Sequence, residues 1–540
     1  MVDLLPLSAL LLGIATHHGL FIHGEWHIQA PSIAVYHSLA FLMLISLHCS
    51  TVSGSFGDSL FSLIGLFALY LLGLFSSISV YRLFFHRLSI FPGPRLAALS
   101  KIWHVWKCRD SRNHHVLNDW YQKYGTFVRT GPNEITVFHP ASLDCMDGPK
   151  SRNSRSDWYD ILYPKIFSIF SRDKEIHNER RKIWDTAMSS TSLYNYYAKL
   201  VRHVQVFEGL ISESVGQPIA MNDLISWFTF DCMGDFGFSQ DFGMMSERKW
   251  LEPILYMCAS WSLLGVFSPA IWVPRISFAI FQVWKAKDWF KALAFSESLL
   301  KARLDTESSQ VDIVSEFIYD YNRSEKGPYE YSKLSGDASV LLFTGTDTTT
   351  SSIIIALYYL ARFPIHARRI QDELDGIDVT DVRTLTSLPH LTGMINESMR
   401  LLPVALTTNP GSRITPPEGL TIDGTFIPGG VKICTSRYVL GRLSTAYEEP
   451  DYFIPERWYS RPELVKDRRA FAPFGIGRYG CVGKPIAMAQ IRLVVACLLS
   501  KYSIAFAPGK DNEESVERDM RDQTTANPGK LVLVFEKRRG

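Results

Sequence analysis

With 540 residues, 46% hydrophobic and 13% aromatic, the chain can build a large core and exceeds a typical single domain. A formal net charge of +2 excludes a polyelectrolyte partner, so no nucleic acid is expected. The eight cysteines form no CxxC pair and match no zinc spacing; they imply reduced thiols in a cytosol-facing domain.

Residues 1–90 differ in composition from the rest and predict a membrane anchor of up to three transmembrane helices. The strongest run, 59–81, is uncharged, rich in Leu and Phe, and long enough to cross a bilayer. Runs 4–22 and 32–49 are weaker, softened by Pro6 and several histidines, and a buried helical hairpin is the alternative for them. Arg82, His86, Arg87 and Arg95 follow the strongest run and place what comes after it on the cytoplasmic side. No cleavable signal peptide is evident. Phe91-Pro92-Gly93-Pro94 is a stiff hinge, and residues 91–540 read as one domain without repeats.

Within that domain the elements add up to a mainly α fold with small β-sheets. Residues 114–125 predict an amphipathic helix ending at Gly125. Residues 126–129 and 134–138, split by Gly131-Pro132, predict a hairpin. Residues 147–173 lack a period and predict a loop. Residues 175–186 predict a cationic helix with His177, Arg180, Arg181, Lys182 and Trp184, which alone reads as a solvated face. Residues 196–310 predict mostly helix, with aromatics destined for the core.

Residues 332–363 predict a long helix, apolar nearly all round and therefore buried. Its middle, Thr344-Gly-Thr-Asp-Thr-Thr-Thr350, consists of poor helix formers. A break there points to function, and a threonine bonding the carbonyl four residues back would bend the helix and open a gap. Residues 388–402 predict a helix on which Glu397 and Arg400 share a face. Residues 420–427 predict a hairpin with an Asp-Gly turn, and 531–535 a late strand.

The segment Phe474-Gly-Ile-Gly-Arg-Tyr-Gly-Cys481-Val-Gly483 surrounds one cysteine with four glycines. The apolar run from 486 to 500 follows without a breaker and predicts a helix. A cysteine at a helix mouth meets unpaired N–H groups and the positive dipole end, which favour thiolate. Such a sulfur is a soft metal ligand or a nucleophile; a buried structural cysteine is the plainer alternative. The embedded Gly475-x-Gly477-x-x-Gly480 is no dinucleotide fingerprint. Pro473 spoils a preceding strand, and the next acidic residue is Asp511.

This segment resembles the haem-thiolate loop of the cytochromes P450, Phe-x-x-Gly-x-Arg-x-Cys-x-Gly, as found in fungal members. Phe474, Gly477, Cys481 and Gly483 fit; Tyr479 stands at the arginine position and Arg478 one residue earlier. The resemblance implies the P450 fold over 91–540 and haem b as cofactor, with Cys481 as axial iron ligand. The 344–350 segment resembles the family's oxygen-activation motif. That gives Thr348 the hydrogen bond to dioxygen, Asp347 a proton relay, and Gly345 room for O2. Glu397, Arg400 and Arg457 of Pro455-Glu-Arg-Trp458 resemble the family's buried structural triad.

Arg181, His177 and Arg413 occupy positions where family members contact haem propionates. Gly441 replaces a histidine that often does so, as Tyr479 replaces the arginine. Arg413 or Arg181 then matters more, or Arg478 or Tyr479 reaches the propionate directly. Residues 147–173, 404–408, Thr524 and Thr525 would border a cavity for a lipophilic small molecule.

With no flavin or nucleotide domain in the chain, electrons come from a separate NADPH–cytochrome P450 reductase, with cytochrome b5 as a further candidate. A basic patch from 172–182, Arg478 and Lys484 would dock it. The resemblance therefore implies a monooxygenase of secondary metabolism in the endoplasmic reticulum membrane, its catalytic domain facing the cytosol. A desaturase or rearranging enzyme, and a non-enzymatic haem protein, stay open as alternatives.

Overall fold

The run predicted at 332–363 forms one uninterrupted helix, Pro328–Arg362, in a computed structural model that describes residues 4–51, 56–161, 163, 170–280, 285–306, 311–407, 411–509 and 513–538. By length and hydropathy it could cross a membrane, but it lies in the core. The expected break is absent. The hydroxyls of Thr344, Thr346 and Thr348 donate to the carbonyls of Val340, Leu342 and Thr344 at 2.8, 3.1 and 2.9 Å, and the helix runs on. Helices Met221–Phe238, Lys285–Leu304, Pro389–Leu401 and Lys484–Lys501 pack around it. Tertiary packing overrides the low local propensity.

The other predicted elements fall close to their expected bounds. Helix Asn113–Tyr124 ends at Gly125, whose φ of 86° needs glycine. Helix Lys174–Ala187 starts at Asp173, whose carboxylate accepts the N–H groups of Glu175 and Ile176. Strands Phe127–Gly131 and Glu134–Val137 pair antiparallel and lead a five-stranded sheet completed by Lys432–Cys434, Arg413–Ile414 and Ser154–Arg155. Strand Val532–Lys537 joins Tyr502–Phe506 and Ile219–Ala220. Leu420–Ile422 and Thr425–Ile427 form the Asp-Gly hairpin, with both turn residues at positive φ. The region predicted as loop at 147–173 carries the short strand Ser154–Arg155 and a turn of 3-10 helix, Asp157–Asp160; residues 162 and 164–169 lie outside the described residues.

The N-terminal region forms helices Leu5–Thr16, Ala30–Thr51 and Phe56–Val80, the first and third prolonged by π-helical turns. Stretches Ala30–Leu47 and Leu60–Phe85 are long and apolar enough to span a membrane; Leu5–Phe21 is shorter. The first and third helices touch through glycine. A Cβ on Gly13 would lie 2.1 Å from Tyr70 O, and one on Gly73 2.1 Å from Leu10 O. The turn between the first two helices docks on the main body of the chain. His27 Nε2 meets Asp160 Oδ2 at 2.8 Å, Glu25 pairs with Arg172 at 2.8 Å, and Arg275 donates to the carbonyls of His27 and Ile28.

Candidate active site

Cys481 sits three residues before the first residue of helix Lys484–Lys501, in a loop closed by its own N–H donating to Phe474 O at 2.7 Å. Gly475 and Gly477 have φ of 68° and 62°. A Cβ on Gly477 would lie 2.0 Å from Asp147 O, so the loop lies flush on the backbone at Asp147. The N–H groups of Gly483 and Lys484 donate to the sulfur, and Arg181 and Lys484 add positive potential. Burial outweighs these and pushes the thiol above its usual value, contrary to the thiolate expected from the helix mouth alone. Yet the residue has open accessible surface. A cation bound there would supply the missing compensation.

Around Tyr479 the structure gathers cations. The guanidinium groups of Arg155 and Arg413 stand 4.3 and 4.6 Å from its ring centre, and the His177 ring lies 4.8 Å away. Arg413 is held by Asp147 at 2.6 and 3.0 Å and by Tyr159 Oη at 2.9 Å. Arg437 donates to Ala472 O at 3.2 Å. Asp147 is the carboxylate felt by all three arginines. Arg181 turns to the loop backbone, donating to Gly480 O at 2.7 Å, and pairs with Asp185 at 2.8 Å. Sequence reasoning missed Arg155 and Arg437; each lies in a segment without a distinctive pattern, and Tyr479 at an arginine position was the available hint.

From Lys333 to Ala361 the central helix is buried except at Thr344, Gly345, Asp347, Thr348 and Ser352. Positions 344, 348 and 352 recur every four residues and form one stripe. Asp347 accepts a hydrogen bond from Thr525 Oγ1. Burial pushes its carboxyl up to about 6, with the Thr525 bond pulling the other way. Gly345 does not leave open room as expected. A Cβ there would lie 2.2 Å from Met233 Cε, so its missing side chain admits Met233 of helix Met221–Phe238.

Glu397, Arg400 and Arg457 meet in full burial. Arg400 grips Glu397 with two bonds of 2.8 Å, Arg457 Nε adds one of 2.9 Å, and Trp458 Nε1 and Ile454 N complete the set at 2.9 and 2.8 Å. Arg400 also donates to the carbonyls of Gly441, Pro450 and Tyr452. A Cβ on Gly441 would lie 2.2 Å from Arg400 O, which explains why a bulkier residue is absent there.

Over residues 92–534 the sequence matches the cytochrome P450 family. The chain belongs to it. Cytochrome P450 monooxygenase sthD of Phaeosphaeria nodorum is 34% identical over 87% of this chain and 99% of that protein. Tryprostatin B 6-hydroxylase of Aspergillus fumigatus is 32% identical over 93% of this chain and 91% of that protein. Cytochrome P450 monooxygenase phqL of Penicillium fellutanum is 34% identical over 98% and 94%. The crystal structure of the cytochrome P450DA heme domain superposes with a TM-score of 0.66 over 79% of this chain and 94% of that one, at 16% identity. The protein is a P450 monooxygenase with the P450 fold, and the family brings haem iron.

The residues of this P450 fit that cofactor. A soft sulfur receives two backbone N–H donors, and three arginines facing one carboxylate leave positive charge for the two haem propionates. The expected basic patch is narrower than its sequence. Arg180 is buried, held by Asp337 at 2.8 Å and by Asp320, and Arg172 is engaged by Asp160 at 2.6 Å. Lys174, Lys182, Arg478 and Lys484 stay exposed.

Proposed function

We propose that this P450 hydroxylates a lipophilic small molecule in the making of a secondary metabolite, drawing electrons from a separate NADPH–cytochrome P450 reductase. The observation that carries this reading is Cys481: an exposed cysteine in a glycine-rich loop whose thiol receives backbone N–H donors from a helix start. The sulfur would ligate the iron of haem b, and Arg155, Arg413 and Arg437 would face its propionates. When bound, the haem supplies reductive O2 activation. That tryprostatin B 6-hydroxylase is similar along most of its length supports hydroxylation over desaturation.

The chain's own part is to manage protons. Asp347, with its carboxyl near 6, holds and releases one close to neutral pH. The neighbouring Thr348 hydroxyl, on the accessible stripe, passes it inward. The Glu397 cluster holds the surrounding fold. Lys174, Lys182, Arg478 and Lys484 form the surface for an acidic reductase, with cytochrome b5 as a further donor.

The docked turn at Glu25 and His27 lies on the catalytic side with everything after Val80. Three spans then alternate, in the endoplasmic reticulum membrane, with the catalytic domain on the cytosolic side. The test is the ferrous–CO spectrum of purified holoprotein. A red-shifted Soret band, lost in Cys481→Ala, is expected; an unshifted band refutes thiolate ligation.

A further inference from the structure

Strand Thr525–Asn527 pairs with Arg521–Gln523 and lies along the central helix. Two bonds join strand and helix one turn apart. Thr525 Oγ1 donates to Asp347 Oδ2, and Ser351 Oγ donates to Ala526 O at 2.6 Å. Asp347 and Ser351 stand four residues apart, on one helix face. The hairpin is fixed from two further sides. Ala526 N donates to Val404 O at 2.6 Å, and a Cβ on Gly265 of helix Glu252–Phe267 would lie 2.4 Å from Gln523 Cα.

The turn between the strands is strained. Thr524 is β-branched at φ 74°, and its Oγ1 is buried without a partner. Such strain persists where the surroundings over-determine the backbone, and it clusters at functional sites. Here it sets the direction of the next residue, Thr525.

We propose that Thr525 is the positioning residue of the proton-delivering carboxyl: its hydroxyl holds Asp347 against the hairpin and so fixes where that proton is kept. This rests on the reading of Asp347 as proton donor. The bond transfers no proton itself. Thr525 gives its hydroxyl hydrogen to Oδ2, and Oδ1 is left to take a proton from solvent and release it toward Thr348. No ion pair holds Asp347 among the described residues, so the threonine has no cation to compete with. The titratable neighbour among the described residues is Cys258 on helix Glu252–Phe267; Asp522 on the hairpin is engaged elsewhere, by Thr407. Burial and Asp347 push the Cys258 thiol up to about 12. Burial pushes Asp522 up to about 6 while Thr407 bonds it at 2.7 Å.

The test uses resting holoenzyme carrying Thr525→Val or Thr525→Ser. An infrared pH titration follows the carboxyl band that Asp347→Asn removes. Thr525→Val takes away a donor that favours the ionised form, so the band's midpoint should rise by about one pH unit. Thr525→Ser should restore it, and product formed per NADPH should shift along pH in the same direction. Melting temperatures check the fold. A midpoint unchanged in Thr525→Val, or a serine variant that behaves as valine, overturns the proposal while leaving Asp347 its role. An Asp347→Asn enzyme that stays fully coupled overturns the proton-donor reading, and the proposal with it, even if the midpoint moves.

Discussion

Two acids in the interior of this P450 are treated in opposite ways. Glu397 receives five hydrogen bonds, three of them from the guanidinium groups of Arg400 and Arg457. Asp347 accepts one bond from a threonine hydroxyl, and burial pushes it up to about 6. A carboxylate clamped by donors from a helix and a later loop ties those elements together and braces its surroundings. A carboxyl held by one neutral donor changes protonation near neutral pH. The difference separates scaffold from chemistry within the same core.

Removing the saturated acid should have the largest effect. Glu397→Ala leaves Arg400 and Arg457 buried without their shared anion, a loss of about 3–5 kcal/mol. Chemical denaturation and haem content should report it together. The opposite is expected at Asp347, because a raised carboxyl weakens the fold once the unfolded chain has ionised. Below about pH 4 both states keep the proton, and nothing is lost. As pH rises toward about 6 the folded state still holds a proton that the unfolded chain has shed, so stability falls; above about 6 the loss is complete. Asp347→Asn cannot titrate. Its stability should therefore gain on the wild type by about 2–3 kcal/mol between pH 4 and pH 7, read from denaturant midpoints at each pH. The same variant should lose about 10²-fold in coupled product formation, because an amide cannot hand on a proton. Stability gained and turnover lost in one variant would sharpen the comparison; both falling together would break it.

Much of this contrast was legible in the sequence, and the illegible part has a physical cause. The cysteine loop stands out through residue types at short spacing, whereas the triad follows only from the family resemblance, since Arg457 lies 60 positions from Glu397. The long helix announced itself through its apolar run, although the polar middle suggested a break that packing by the surrounding helices prevents. What no local pattern carries is which distant segment meets which. Thr525 lies 178 positions from Asp347, and its hairpin is ordinary in composition. Arg155 meets Tyr479 from a short strand of a sheet assembled from distant parts of the chain, and Arg437, which opens helix Arg437–Leu440, feels the charge of Asp147. Arg180 read as surface charge within a basic helix. It is buried because Asp337, on the central helix, and Asp320 face it from other elements.

The smallest predicted effect is also the most direct comparison, because it deletes one neutral donor from each acid. Trp458→Phe removes the indole N–H that meets Glu397 Oε2 at 2.9 Å and keeps an aromatic ring against Phe471, 4.2 Å away between centres. Four donors still hold the carboxylate, two from Arg400 and one each from Arg457 and Ile454 N. The charge therefore stays compensated, and the change should lower stability by about 1–2 kcal/mol with product formed per haem unaltered. Thr525→Val makes the same deletion at Asp347, where the donor lost is the one bond that, among the described residues, the carboxyl accepts from a side chain. There stability should be unchanged below about pH 6 and fall by about 1.4 kcal/mol above about pH 7, in step with a shift in the pH dependence of turnover that Trp458→Phe should not show. If Trp458→Phe altered the pH profile, or Thr525→Val altered stability alone, the number of donors around each acid would not be what divides brace from proton carrier.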